Sequence, residues 1–168
     1  MFVRTELVQC SRTYAGMPGV TSLIAAGPSP AAAAAPEHLV IVVDEALPPG
    51  LAANAAAVVA FTLGAQLPDL RGADVADADG AVLPGLIPIG LPILRAGADA
   101  LTALHAGAMA AGLGVVAMPV FGHQTNDYDE FRALVARTPG AELRFLAVAV
   151  HGPRRRVGQL TGSFGLLR

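Results

Sequence analysis

From His38 onward the chain alternates short apolar runs with longer stretches of helical character. His38 to Val43 (HLVIVV) is a continuous, largely β-branched run, the mark of a strand covered on both faces. Pro48, Pro49 and Gly50 form a turn, and Leu51 to Ala65 reads as a helix with Leu51, Val58, Val59 and Phe61 available for a core. Asp77 to Gly80 (DADG) has turn composition. Ile87 to Leu94 reads as a strand whose prolines place it at an edge or confine them to its ends. Asp99 to Ala111 is a helix with Leu101, Leu104, Ala108 and Met109 on one side, stopped by Gly112 and Gly114. A strand over Val115 to Pro119 follows. Asn126 then caps a helix reaching about Arg137, with Asp127, Asp129 and Glu130 in its first turn, where the helix dipole favours acids. Arg144 to His151 is the last strand, and Pro153 opens a helix that ends at Gly162. Strands alternating with helices predict a three-layer α/β/α domain with a mixed, largely parallel sheet of about four strands. No internal repeat is visible.

Residues 1–36 have no sustained periodicity and end in GPSPAAAAAPE, a Pro/Ala linker that cannot bury a core. They are expected to form a flexible tail ahead of a single α/β domain over 37–168. Met17 offers a second, later start.

Composition narrows the function classes. Of 168 residues, 54% are hydrophobic and only 14% are charged, against roughly 25% charged in an average soluble domain. Another subunit would help to complete so uncharged a surface, so a homo-oligomer is expected. The net charge is −2, with 11 basic residues that are all Arg, so there is no general basic field for nucleic acid and no lysine chemistry. Cys10 is the only cysteine, which excludes a disulfide framework or thiolate cluster and fits a reducing compartment. The most apolar stretch, Gly80 to Leu94, falls short of about 18 apolar residues and is broken by Pro84, Pro88 and Pro92, so it does not span a membrane. The amino terminus lacks the compact apolar stretch of a secretory signal. A cytoplasmic protein is expected.

Asn54 is the only polar side chain between Leu47 and Thr62. On this pattern its amide is expected to be buried, where an unpaired one costs on the order of 1–3 kcal/mol. The helix that carries it follows a strand directly, the place where open α/β sheets collect ligands. The segment Gly122 to Asp127 (GHQTND) follows another strand. Its later residues are explained by capping, which leaves His123, Gln124 and Thr125 as ligand-binding candidates, with His123 also a candidate base. Asp44 and Glu45, at the end of the first strand, face the same region or serve as solvated turn acids. Asn54 itself either lines a site or satisfies a neighbouring backbone group. His38, His105, His123 and His151 sit on separate elements without HxxxH or HxH spacing, so no metal site is expected. No Gly-rich phosphate loop and no GxSxG elbow occurs, so no cofactor is expected.

The strand and helix HLVIVVDEALPPGLAANAAAVVAF, the segment LPGLIPIGLPIL, the loop MPVFGH and the ending FLAVAVHGPRRRVGQLTGSFGLL together resemble the domain-of-unknown-function family two thousand. That family is related in fold to the type II peptidyl-tRNA hydrolases. The resemblance runs from about Glu37 to Arg168 and implies a small three-layer domain with a mixed four-stranded sheet. It brings no established activity. In the hydrolases the first helix opens with a Gly-Lys pair followed by a Gln, and a later strand ends in an Asp-Ala-Gly turn. The corresponding turn here is Gly50-Leu51, Asn54 lies near the Gln position, and Val120-Phe121-Gly122 stands where the Asp belongs. Loss of both the Lys and the carboxylate argues against peptidyl-tRNA hydrolysis.

Arg154, Arg155 and Arg156 occupy the first turn of the last helix, where cations oppose the dipole by about 0.3–1 kcal/mol each. Together with the backbone behind Gly152 they form a candidate anion site, or else a solvated basic face. The resemblance implies an antiparallel last strand, which puts this patch at the opposite end of the sheet from Asn54. The leading expectation is a small-ligand-binding or weakly catalytic protein that uses Asp44, Asn54, His123 and Thr125. The alternatives are a hydrolase with His123 as base and a structural oligomer. Deleting residues 1–36 should leave the melting temperature almost unchanged. A fall of more than several degrees in a thermal melt would place part of the core in that segment.

Overall fold

The computed structural model describes residues 36–168; the expected tail lies outside them except for Pro36. The central strand β1 (His38–Asp44) is flanked by β6 (Phe145–Gly152) and β4 (Ile93–Ala96). Beyond these lie β5 (Gly114–Pro119) and β7 (Gly165–Leu166), giving the order β5-β6-β1-β4-β7. Two further strands, β2 (Val75–Ala76) and β3 (Val82–Leu83), form a separate hairpin.

The expected direction of the sheet is corrected. Among the described strands of this sheet only β1 and β4 run parallel, while β1–β6, β5–β6 and β4–β7 are antiparallel. The misreading has a physical cause. A strand covered by helices on both faces shows an unbroken apolar run whichever way its neighbours point, so continuous runs in β1 and β6 report burial and not direction. The fifth strand, β7, is two residues long and too short to show a period. The second expected strand also begins later than its apolar stretch, at Ile93 and not Ile87. Prolines 84, 88 and 92 lack the N–H a ladder needs. Pro92 contributes only its carbonyl, which accepts from the Ile41 N–H at 3.1 Å.

Among the described residues, four helices surround the sheet. Helix α1 (Pro49–Gln66) opens with proline at its first position, where the missing N–H costs nothing. It packs on one face, burying Ala52, Ala55, Val59 and Leu63 against Ile41 and Ala149. Helices α2 (Ala98–Ala110) and α4 (Arg154–Thr161) cover the other face, where Leu101, Leu104 and Val157 meet Val42, Val148 and Val150. Each fully buried aliphatic side chain here contributes about 1.5–3 kcal/mol. Helix α3 (Tyr128–Ala136) follows β5. Its cap is Asp127 and not the expected Asn126: the Asp127 carboxylate accepts from the amides of Asp129 (2.8 Å) and Glu130 (3.0 Å).

The core of α1 also differs from expectation. Val59 is buried, but Leu51 and Val58 are each 43% exposed and Phe61 is 83% exposed. A helix that is apolar all round gives no sign of which side meets the sheet, and here alanines take the inner positions. Met109 of α2 is likewise exposed.

The hairpin turn is as expected. The Asp77 carboxylate accepts from Asp79 and Ala81 amides, and Gly80 takes φ 86°. Its neck is closed where the Gly72 N–H donates to Leu86 O at 2.9 Å and the Gly85 N–H donates to the Asp74 carboxylate at 2.9 Å. A Cβ on Gly85 would collide with the Gly72 and Ala73 carbonyls. Gly85→Ala should therefore cost about 1–3 kcal/mol, whereas Gly64→Ala, on an open side of α1, should gain about 0.5–1 kcal/mol. Chemical denaturation of the two variants checks this, and equal effects would contradict the closed neck.

Candidate functional site

Helix α1 leaves the carboxyl end of β1, and a 3-10 turn over Val120–His123 leaves the carboxyl end of β5. Both ends lie on one side of the sheet, because β6 runs antiparallel to each. The turn is fixed by two main-chain bonds: the Val120 N–H donates to Arg144 O at 3.0 Å, and the Gln124 N–H to Phe121 O at 3.0 Å. It carries His123 to α1, where Nε2 lies 3.2 Å from the Asn54 Oδ1. With Nε2–H donating to that oxygen, Nδ1 is left as an acceptor and the Asn54 NH₂ keeps its two donors.

Asn54 is exposed, which corrects the expectation of a buried amide. In an apolar helix lying on a sheet, the one polar residue turns outward. It lines a cleft of about 380 Å³ between α1, β5 and α3, within the size range of small-molecule sites. Val58, Met118 and Phe131 supply apolar walls, and Thr62, Thr125 and Asn126 add neutral polar groups. His123 is not among the lining residues and touches the cleft through Asn54. The Thr125 hydroxyl donates to the Glu130 carboxylate at 2.6 Å and accepts from the Asp127 amide at 3.0 Å. It is therefore engaged in the entrance to α3.

Asn54, His123 and Thr125 are thus brought together. Asp44 is not; it accepts from the Ala46 amide at 3.0 Å and closes the turn after β1. The arginine patch lies at the opposite end of the sheet, since Gly152 pairs with His38 at the start of β1. There the Arg154 amide donates to the Glu37 carboxylate at 3.2 Å, and the Arg156 guanidinium donates to Ala111 O at 3.3 Å. Glu37 supplies an anion at the α4 amino terminus, and Arg156 closes the end of α2. Arg155 is exposed. Gly152 adopts φ 149°.

The aromatic side of the cleft was missed in the sequence. Tyr128 and Phe131 stack with centroids 5.7 Å apart, and their three-residue spacing on a helix is the signal that could have shown them. Among the described residues no three His, Cys, Asp or Glu side chains are placed to hold a metal, and no helix is long and apolar enough to cross a membrane.

The geometry defines a three-layer α/β domain with a mixed sheet and, beside its first helix, a cleft whose lining is uncharged except for Asp127. Residues 37–168 match the family model described as protein of unknown function (DUF2000), and the chain belongs to that family. The fold is similar to that of a solved protein of unknown function from Agrobacterium tumefaciens: TM-score 0.72, 15% identity, 77% of this chain and 96% of the other covered. No curated protein matches the chain.

Two histidines outside the cleft respond to burial. His105 stacks on Phe145 with centroids 4.5 Å apart, and His151 lies across Gly114, where a Cβ would strike its ring. Desolvation lowers the pKa of both. The unfolded chain then binds more protons than the fold, so their contribution is complete above the unfolded value of about 6.5 and is lost as pH falls below it. Melting temperature should drop on acidification from neutral pH, and His105→Gln or His151→Gln should flatten that dependence. A slope unchanged in both variants would remove these residues as its source.

Proposed function

We propose that the protein binds a small, uncharged ligand in the cleft between α1 and β5, with the Asn54 amide directed to a carbonyl or amide of that ligand. The observation that carries this reading is the 3.2 Å His123–Asn54 contact at the edge of the cleft. It orients the amide, leaves its two donors free and orders the loop that forms one wall. The acids nearby are occupied, Asp127 by two amides and Glu130 by Thr125. The remaining lining, of aliphatic and aromatic groups with neutral amides and hydroxyls, fits an apolar body with one polar edge.

The same contact supports a second reading, a hydrolase related in fold to the type II peptidyl-tRNA hydrolases. His123 Nδ1 would take the proton of an attacking water while Asn54 NH₂ holds the carbonyl oxygen. Leu51 and the Val120-Phe121 pair, standing where those enzymes carry Lys and Asp, weigh against peptidyl-tRNA as the substrate. The exposed Leu51, Val58 and Phe61 support self-association through α1 as an additional property. The single cysteine supports a cytoplasmic setting.

Native mass spectrometry of the purified protein should reveal a copurified small molecule. Asn54→Ala should change stability by less than about 1 kcal/mol, as expected for an exposed residue, and should abolish most of that ligand's stabilising thermal shift. An unchanged shift would remove Asn54 from the site. Peptidyl-tRNA turnover should be absent or marginal, and a rate of roughly 1 per second or more would establish the hydrolase reading in its place.

A further inference from the structure

A larger cavity, of about 600 Å³, lies on the other flank of α1, between that helix and β4. A smaller one, of about 260 Å³, shares Ala60 and Leu91 with it and continues to Leu63, Gly64 and Leu67 at the end of α1. Together they form one groove along the helix, whose 18 residues span about 27 Å at roughly 1.5 Å per residue.

The groove exists because of what α1 lacks. Ala53, Ala57, Ala60 and Gly64 fall at spacings that share one side of a helix, and a Cβ built on Gly64 meets nothing within 4 Å. The opposite wall is aliphatic, with Ile41, Leu91 and Ile93. Four charged residues line the groove. At the far end Arg71 is paired with Asp74. At the mouth stand Arg95 and Glu45, while Arg168 lies beside the amino end of β4, since the preceding Leu167 N–H donates to Ile93 O at 3.0 Å.

The mouth is a defined place in the fold. It lies at the carboxyl ends of β1 and β4, the one parallel pair among the described strands, and at the positive end of the α1 dipole. Arg95 is opposite Val43 in that register and shares the α1 side of the sheet with Ile93. No carboxylate of the described residues lies within 4.0 Å of its guanidinium, Glu45 included. The Glu45 amide donates to Ala96 O at 3.0 Å, and its carboxylate oxygen lies 3.6 Å from the Cβ position of Gly97, past the end of β4.

We propose that this groove binds a free long-chain aliphatic carboxylate, its chain along the alanine side of α1 and its carboxylate on Arg95. A planar guanidinium presents the paired donors that a carboxylate accepts. The narrow wall of methyl groups behind it offers no polar partner and suits an unbranched chain. This site is separate from the cleft that carries Asn54, and stands or falls independently of it.

The test uses the full chain and cis-parinaric acid, a fluorescent long-chain carboxylate, kept below its micellar concentration, with oleate and oleyl alcohol as competitors. Wild type should bind the probe saturably, and oleate should compete better than the alcohol. Arg95→Gln should weaken oleate by at least about tenfold and erase the difference between acid and alcohol. Ala57→Leu should block the groove for both, while Phe61→Ser, on the outward side of α1, should leave binding intact. Circular dichroism confirms the fold of each variant, and Arg95→Gln decides alone if Ala57→Leu fails to fold. Absence of saturable binding, equal oleate affinity in Arg95→Gln, or binding lost with Phe61→Ser but retained in Ala57→Leu would each overturn the proposal.

Discussion

The pairing of β1 with β6 is the constraint on which the rest depends. Six residue pairs from His38–Gly152 to Val43–Ala147 hold the two longest strands antiparallel through the middle of the sheet. Both faces of this ribbon are apolar: Ile41 and Ala149 lie under α1, and Val42 and Val148 lie under α2 and α4. Its direction also sorts the chemistry. Strand β5 pairs antiparallel to β6 and so runs with β1, which brings the His123 turn and the start of α1 to one end. The arginines after Gly152 are sent to the other. A parallel β6 would have put all of these groups at one end and brought a basic patch to the cleft.

Much of the framework was legible in the sequence, because apolar runs and turn residues report burial and chain reversal directly. The strand His38–Val43, the DADG turn and the helix opened by Pro153 all lie where local chemistry puts them. Direction was not legible, since burial on two faces looks the same in either orientation. Orientation of α1 was hidden for a related reason. With Ala, Val, Leu and Phe on every side, rotation of the helix about its axis changes no pattern, so Phe61 and Val59 were indistinguishable until the sheet was in place.

The candidate site was half legible. Asn54 stood out by being alone, and His123 by lying in a polar loop after a strand, yet the reason given for Asn54 was burial and the structure puts it at an open cleft. Its oddity marked a helix that lines a cleft, but through exposure and not burial. Asp44 and Arg156 show the opposite case. Each has the composition of a site and is engaged locally, one by the Ala46 amide and the other by the Ala111 carbonyl. Arg95 and Glu45 could not be grouped in advance at all, because they lie far apart in the sequence and only the β1–β4 register sets them at one mouth.

Alanine in α1 is the common cause of both cavities. Small inner residues let the helix lie close to the sheet, where Ala52, Ala55 and Ala56 meet Ile41 and Ala147 with no long side chain between them. The same smallness on the flanks leaves the helix too narrow to cover a sheet of five strands, so open space remains on each side of it. What fills that space differs between the flanks. Toward β5, a loop and an aromatic helix close in and add polar groups; toward β4, proline-broken chain and two short strands leave a long apolar wall bordered by a few charges. One narrow helix on a mixed sheet therefore leaves two cavities of different lining, and the two share no lining residue.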